Sequence, residues 1–302
     1  MFEEFKSAFN RYNNGHVQLI IINVVIFLAL GVLFVVSKIS GTPFLFETVY
    51  DQFTLPSPIQ EFIKEPWTLI TYSFAHYFDY DRSDVGVFHI LMNMLVFYWF
   101  GRLFIEYLGS DKLIAVYVLG GLAGGLLYLL LYNTIPFFIE QRSSLVGASA
   151  AVYAVVVAVA TLIPNYTFYL LFLGPVRIKY IAGFYIVISF LGAVGTNAGG
   201  NIAHLGGALI GYVYMKQLQA GSNWGMWVTS TLYWIKNLFK AKPNVKVSYR
   251  KEREKYSKAT VNADKNSFSQ EEIDAILDKI SAAGYESLTK EEKEKLFNAS
   301  KR

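Results

Sequence analysis

The amino-acid sequence predicts an all-α polytopic membrane protein with six transmembrane helices and a small soluble C-terminal helical hairpin. Of its 302 residues, 54% are hydrophobic and 17% are charged, whereas soluble globular domains carry roughly 25% charged residues. Asp, Glu, Lys and Arg are absent from four long stretches, residues 15–37, 113–139, 143–176 and 180–215. Such stretches are typical of membrane spans. The composition therefore excludes a disordered chain, a disulfide-stabilised secreted domain and most nucleic-acid-binding proteins.

Six segments are predicted to cross the membrane. The first, residues 17–37, is rich in Val, Ile, Leu and Phe and is long enough, at about 1.5 Å per residue, for a hydrocarbon core of about 30 Å. Residues 38–87 are polar and aromatic-rich, and their number predicts a structured loop or lid. The other predicted spans are residues 88–104, 113–135, 145–163, 178–193 and 201–217. Residues 166–173 are apolar but too short to span, so we expect them to lie at the membrane interface.

Charge asymmetry predicts that both termini are cytosolic. Residues 216–258 carry ten Lys or Arg and two Glu, whereas residues 39–88 carry seven acidic and two basic residues. Because basic residues are enriched in cytoplasmic loops, we expect a cytosolic tail and an outward-facing first loop. Arg177 and Lys179 then fall on the cytosolic side, as six spans require. The predicted location is the inner (plasma) membrane, as a multi-pass protein.

The predicted domain organisation is a six-span membrane domain at 1–218, an interfacial helix with a basic linker at 219–266, and a helical hairpin at 267–302. Trp224, Trp227 and Trp234 recur at helical spacing among lysines, which indicates a helix lying in the membrane interface. A disordered basic segment with a few aromatic residues is the alternative. Residues 241–266 show no apolar period, which predicts a linker.

The C-terminal hairpin is predicted from two capping boxes. Residues 269–272 are Ser-Gln-Glu-Glu and residues 289–292 are Thr-Lys-Glu-Glu. In this pattern the Ser or Thr side chain and the Glu three residues later satisfy free N–H groups at the start of a helix. Gly284 is placed to end the first helix. We therefore expect two short amphipathic helices.

Polar and ionisable side chains within the spans are few, and they are candidates for function because they are costly in lipid. His89 and Asn93 are four residues apart, so they share one face of the second span. Polar residues also hold membrane helices together. A purely structural role is therefore the alternative for this pair.

Ser149 and His204 are the candidates for chemistry. Ser149 lies at the start of the fourth span, where free N–H groups and the helix dipole can stabilise a developing oxyanion. Small-residue packing is the alternative for its Gly-Ala-Ser-Ala motif. His204 lies beside Gly207 and Gly211, whose spacing lets another helix approach closely. A serine and a histidine can therefore meet.

The fourth and sixth spans contain no Asp or Glu, so neither supplies the carboxylate of a usual catalytic triad. His204 must then be oriented by another group. Tyr153 lies one helical turn after Ser149 and can supply a ring on which the histidine packs.

Taken in order, these motifs resemble those of the rhomboid family of intramembrane serine proteases. The similarity covers residues 65–216 and implies a six-helix rhomboid-like bundle. The matching motifs are His89-x-x-x-Asn93, Gly101 with Glu106 and Gly109, Gly147-x-Ser149, Tyr153, and Ala203-His204-x-x-Gly207-x-x-x-Gly211.

The resemblance implies a role for each of these site residues. Ser149 is similar to the nucleophile, His204 to the general base, and Tyr153 to the ring stacked on that base. The residues similar to the oxyanion-stabilising group are His89, Asn93 and Gly147, with the backbone N–H of Ser149.

Two positions depart from the family pattern. Thr68 follows Pro66-Trp67, where the family usually has an arginine. The first loop must therefore be anchored without that arginine. Ala150 stands where many members have glycine, and this concerns how closely a substrate backbone can approach Ser149.

The resemblance implies an intramembrane serine protease that uses a Ser-His dyad on single-span transmembrane protein substrates. Membrane lipid is the other expected partner. No nucleic acid, metal ion or cofactor is expected, and the sequence gives no signal for an oligomeric state. The alternatives are a proteolytically silent rhomboid-like protein that binds transmembrane helices and, less favoured, a transporter. A zinc protease is disfavoured because the chain has no His-Glu-x-x-His motif.

Overall fold

The computed structural model describes residues 9, 13–80, 84–238 and 270–300. The chain divides into two compact units, Met1–Ala241 and Lys242–Arg302. The helices of the first unit are α1 (Gly15–Ser40), α2 (Pro43–Asp51), α3 (Ile59–Phe62), α4 (Thr68–Thr71), α5 (Val87–Leu108), α6 (Ser110–Thr134), α7 (Pro136–Ile139), α8 (Ser149–Leu162), α9 (Ile178–Gly192), α10 (Ala198–Gln219) and α11 (Met226–Leu238). Its strands are β1 (Leu55–Pro56), β2 (Phe78–Asp79), β3 (Asp84–Val85), β4 (Ser144–Leu145), β5 (Thr167–Leu170) and β6 (Gly174–Arg177).

The predicted all-α membrane fold is confirmed, and α1, α5, α6, α8, α9 and α10 coincide with the six predicted spans. Among the described residues, α1, α5 and α6 are long and apolar enough to cross a membrane. The apolar helices α8 and α9 are shorter, with 14 and 15 residues. The strands form three short antiparallel pairs in the connections.

The fourth helix starts later than predicted. The predicted span covers residues 145–163, but Leu145 pairs with Leu55 in the β1–β4 ladder and α8 begins at Ser149. Its 14 residues extend about 21 Å, less than the hydrocarbon core of about 30 Å. At least one end of α8 therefore lies below the membrane surface. Non-helical backbone is tolerated at that depth where it is buried in protein or lines a water-filled cavity.

Small residues bring α6, α8 and α10 into close contact. A Cβ added to Gly207 on α10 would lie 2.0 Å from the carbonyl oxygen of Ala150, and one added to Gly211 would lie 2.2 Å from that of Ala154. On α6, a Cβ added to Gly124 would lie 2.6 Å from the Cβ of Ala150. Close backbone approach of this kind provides the van der Waals contact that holds membrane helices together.

The predicted structured loop at 38–87 is folded over the residues that the structure describes, 38–80 and 84–87. Phe46 of α2 is buried, stacks on Tyr50 at 5.0 Å between ring centroids, and meets Phe34 of α1 edge to face at 5.1 Å. The indole N–H of Trp67 donates to Oε1 of Gln52 at 3.1 Å, and the hydroxyl of Thr71 donates to the Gln52 carbonyl oxygen at 2.7 Å. Aromatic packing and these hydrogen bonds hold the loop in place.

Residues 166–173, predicted to be interfacial, form most of a β-hairpin. Thr167 pairs with Arg177 and Leu170 with Gly174 in the β5–β6 ladder. Leu171 and Phe172 at its tip are 88% and 92% exposed. The hairpin was not predicted, because an apolar run of this length does not distinguish a strand from a helical segment. Its exposed apolar tip suits a membrane interface.

Helix α11 lies where the interfacial helix was predicted. It packs Val228 into the core of the first unit, and the hydroxyl of Tyr233 donates to a carboxylate oxygen of Asp111 at 3.0 Å. Trp227 and Trp234 are exposed. Its placement in the membrane interface stays a prediction, and the predicted linker at 241–266 lies outside the described residues.

In the second unit the structure describes α12 (Gln270–Ala283) and α13 (Lys290–Ser300). The second capping box is present, because the N–H of Thr289 donates to Glu292 at 2.7 Å and the N–H of Glu292 donates back to the Thr289 hydroxyl at 3.3 Å. Gly284 follows the end of α12 with φ +78°. Ser269 of the first capping box lies outside the described residues.

Candidate active site

Ser149 is the first residue of α8, and the segment before it is fixed by the backbone. Gly147 has φ +135°, a conformation that favours glycine, and its N–H donates to the carbonyl oxygen of Tyr72 at 2.9 Å. The first N–H groups of a helix have no intrahelical partner. Ser149 thus lies beside free N–H donors at the positive end of a helix dipole.

His204 of α10 contacts Ser149 directly. Its Nε2 lies 2.7 Å from the hydroxyl oxygen of Ser149. This contact depends on the close packing of α8 and α10, because Gly207 lies one turn after His204 and meets the backbone of Ala150. Both side chains are half-buried.

The imidazole of His204 is held on two further sides. The ring of Tyr153 stacks on it, with centroids 4.1 Å apart and an interplanar angle of 13°. Nδ1 of His204 lies 3.1 Å from the hydroxyl of Ser189 on α9, which in turn donates to the hydroxyl of Tyr153 at 3.0 Å. The sequence motifs do not include Ser189. The available signal was a single polar residue in an otherwise apolar part of α9.

His89 lies close to Ser149, whereas Asn93 contacts its own helix. A Cβ placed on Gly147 would lie 3.3 Å from Nε2 of His89 and 3.7 Å from the hydroxyl oxygen of Ser149. The His89 ring and the Ser149 hydroxyl therefore both border the space next to Gly147. The side-chain amide of Asn93 donates to the backbone carbonyl oxygen of His89 at 3.0 Å. It lies one turn further along α5.

A second histidine lies behind His89. His76 comes from the loop before β2, is fully buried, and packs its ring edge-on against that of His89 at 5.4 Å between centroids. Burial, together with the nearby His89, lowers the pKa of His76 to about 3. The His76 ring is therefore neutral at physiological pH and adds no positive charge beside His89.

The two departures from the family pattern have structural explanations. The hydroxyl of Thr68 is buried and donates to the carbonyl oxygen of Glu65 at 2.6 Å, so it closes the turn that starts α4. The methyl group of Ala150 is buried against Gly124 of α6 and not in front of Ser149. Neither substitution disturbs the contact between Ser149 and His204.

This arrangement can activate a serine hydroxyl. A neutral imidazole whose Nε2 faces a hydroxyl at hydrogen-bond distance can accept its proton while the oxygen attacks an electrophile. The helix start and the His89 ring are positioned to contact an oxygen that becomes negatively charged. Among the residues that the structure describes, no group of three His, Asp or Glu side chains is arranged to hold a metal ion.

Comparison with known proteins identifies two regions. Residues 64–219 match the model of the Rhomboid domain, and residues 251–302 match a family of unknown function (DUF6576). RHOMBOID-like protein 12, mitochondrial, from Arabidopsis thaliana is 32% identical over 167 residues, which are 51% of this chain and 47% of the relative. RHOMBOID-like protein 6, mitochondrial, from the same organism is 27% identical over 173 residues, 56% of this chain and 50% of the relative.

The chain spans about half the length of these curated relatives. The Rhomboid match covers about half of the chain and contains α5, α6, α8, α9 and α10. It therefore includes every residue of the Ser149–His204 site described above. On this match, together with the fold, the chain belongs to the rhomboid family and is a multi-pass membrane protein.

Proposed function

We propose that this protein is a serine endopeptidase that cleaves the transmembrane segments of other membrane proteins. The observation that carries the proposal is the 2.7 Å contact between the Ser149 hydroxyl and Nε2 of His204. The contact occurs at the start of a helix that is too short to span the membrane. We infer that the Ser149 end of α8 is the one below the membrane surface, so that Ser149 attacks a peptide bond at the depth where transmembrane segments are found.

The proposed reaction proceeds through an acyl-enzyme. His204 takes the proton of Ser149 as its oxygen attacks the scissile carbonyl, and then gives that proton to the leaving amine. The backbone N–H of Ser149 and the side chains of His89 and Asn93 stabilise the oxyanion, and Gly147 leaves room for it. Water from the outer face hydrolyses the ester. The reaction needs no metal ion or cofactor, because side chains supply both nucleophile and base.

The proposed substrates are single-span membrane proteins. The helices around Ser149 expose apolar side chains on the outside of the bundle, and α9 in particular exposes Phe184, Val187 and Phe190. A substrate that is itself a lipid-embedded helix reaches the site by lateral diffusion in the bilayer.

The proposal is tested with the purified full-length protein in detergent and in liposomes. We expect cleavage of a model single-span substrate and covalent labelling by a serine-reactive fluorophosphonate, with the label on Ser149 by peptide mapping. A protein that binds the substrate but neither cleaves it nor takes up the label would support the alternative, a proteolytically silent member that binds transmembrane helices.

We expect Asn93→Ala to lower kcat by about 10²-fold with little change in KM, as loss of one of several oxyanion donors does. Leu91→Ala is the matched control, because Leu91 lies on the same helix and is 57% exposed. Turnover is measured beside the thermal unfolding temperature. An Asn93→Ala protein that unfolds at a lower temperature but keeps its kcat would show that the amide only stabilises α5, through its hydrogen bond to the His89 carbonyl oxygen.

We propose that the protein lies in the inner (plasma) membrane. Both termini are then cytosolic, and the first loop faces outward. A biotinylation tag at the C-terminus should be modified by cytosolic ligase, and a tag inserted at 79–84 should be modified only by an external reagent. Both tags are placed in the same parent protein, so that a difference in expression does not account for the result. An external C-terminus would contradict the orientation and the proposed direction from which water reaches Ser149.

A further inference from the structure

Ser189 of α9 joins the two aromatic rings next to Ser149. It is fully buried, its hydroxyl oxygen lies 3.1 Å from Nδ1 of His204, and it donates to the Tyr153 hydroxyl at 3.0 Å. We propose that Ser189 is a positioning residue that holds His204 in the tautomer able to accept the Ser149 proton. The proposal rests on the proposed function of Ser149 and His204.

The hydrogen-bond directions lead to a single tautomer. A serine hydroxyl has one proton, and Ser189 donates it to Tyr153. The Ser189 oxygen can then only accept from His204, so the proton of the neutral imidazole is on Nδ1. Nε2 is left with a lone pair and faces the Ser149 hydroxyl at 2.7 Å.

Stacking alone does not fix the ring. The Tyr153 ring lies parallel to His204 and limits tilting, but an imidazole rotated by 180° about its Cβ–Cγ bond stacks on Tyr153 equally well. Nδ1 donates to Ser189 and Nε2 accepts from Ser149, and the two serines lie on different helices. A flipped ring would present carbon atoms to both hydroxyls and lose both bonds. Ser189 therefore fixes the rotation that stacking leaves free.

Ser189 takes the place that a carboxylate has in a triad. α8, α9 and α10 contain no Asp or Glu. When His204 accepts the proton of Ser149, Nδ1–H remains bonded to Ser189, and a hydrogen bond from a cation is about twice as strong as a neutral one. The hydroxyl carries no charge to compensate the imidazolium. Its contribution should therefore be smaller than the roughly 10⁴-fold effect of altering a triad aspartate.

The burial pattern of α9 supports a role in the site. Most of this helix is exposed, and its three buried residues are Ile178, Ala182 and Ser189. Serine within a helix often bonds back to the carbonyl four residues earlier. Here the side chain reaches Tyr153 on α8 and His204 on α10.

The kinetic test compares Ser189→Ala with Ser189→Thr in the full-length protein. Ser189→Ala should lower kcat by about 10- to 100-fold with KM nearly unchanged, because a hydrogen bond to a charged group is lost. Ser189→Thr keeps the hydroxyl and should restore most of the activity. Ile188→Ala is the control, since Ile188 is the adjacent residue and is half-exposed. A Ser189→Ala protein with unchanged kcat would overturn the proposal.

The tautomer is measured directly by ¹⁵N NMR of histidine-labelled protein, with the His204 signals assigned by their loss in His204→Ala. We expect protonated Nδ1 and unprotonated Nε2 in the unmodified protein, and a mixture of tautomers in Ser189→Ala. Protonated Nε2 in the unmodified protein would overturn the proposal even if both Ser189 variants fail to fold.

The two readouts separate this inference from the proposed function. Cleavage that requires Ser149 and His204 but not Ser189 overturns the positioning role alone. Absence of cleavage overturns the proposed function, and the ¹⁵N measurement then still decides the positioning role, because it needs no substrate.

Discussion

Replacing Ser149 or His204 by alanine is expected to lower kcat by about 10³-fold or more while the protein stays folded. Either change removes one half of the pair that meets at 2.7 Å and leaves the glycine contacts between α8 and α10 intact. Because the two side chains act as one unit, the double variant should be no slower than either single variant. Turnover of a single-span substrate and fluorophosphonate labelling are the measurements.

Ser144→Ala is the matched control for this experiment. Ser144 lies in β4, five residues before Ser149, and is exposed. Its replacement should leave turnover unchanged, so that a loss in Ser149→Ala is not a general effect of altering this segment. Substantial Ser149→Ala turnover would contradict the serine-protease proposal, whatever the result for His204.

The positions of the helices could be predicted because lipid imposes a simple rule on the sequence. A span needs about 20 apolar residues, and the charge-free stretches mark where such spans fit. The rule sets length and composition but not the first helical residue. α8 starts at Ser149 because residues 144–145 pair with residues 55–56, about 90 residues earlier in the chain. A local sequence pattern does not reveal a pairing between segments so far apart in the chain.

The Ser149–His204 contact was foreseeable for a different reason. Gly207 and Gly211 near His204 indicated close approach to another helix. In the structure the backbone of α8 at Ala150 and Ala154 leaves no room for a side chain at either glycine. The role of α9 was not foreseeable. A lone serine in an apolar stretch does not reveal its partners, since Ser189 meets Tyr153 and His204 only through the packing of three helices.

Gly207→Ala is expected to destabilise the protein and to inactivate it together. The added Cβ would lie 2.0 Å from the carbonyl oxygen of Ala150 and 2.8 Å from its carbonyl carbon, so α8 and α10 must move apart. Overpacking of this kind typically costs roughly 1–3 kcal/mol, occasionally more. The movement also separates His204, one turn away, from Ser149, and a displacement of about 1 Å can cost about 10²-fold in rate.

Gly183→Ala on α9 is the matched control, because a Cβ at Gly183 meets no atom within 4 Å. The thermal unfolding temperature and kcat should fall in Gly207→Ala and stay unchanged in Gly183→Ala. If Gly207→Ala is destabilised but keeps its kcat, the helices have rearranged around the added methyl group without moving His204. That result would contradict the view that backbone contact between α8 and α10 sets the distance from Nε2 to the Ser149 hydroxyl.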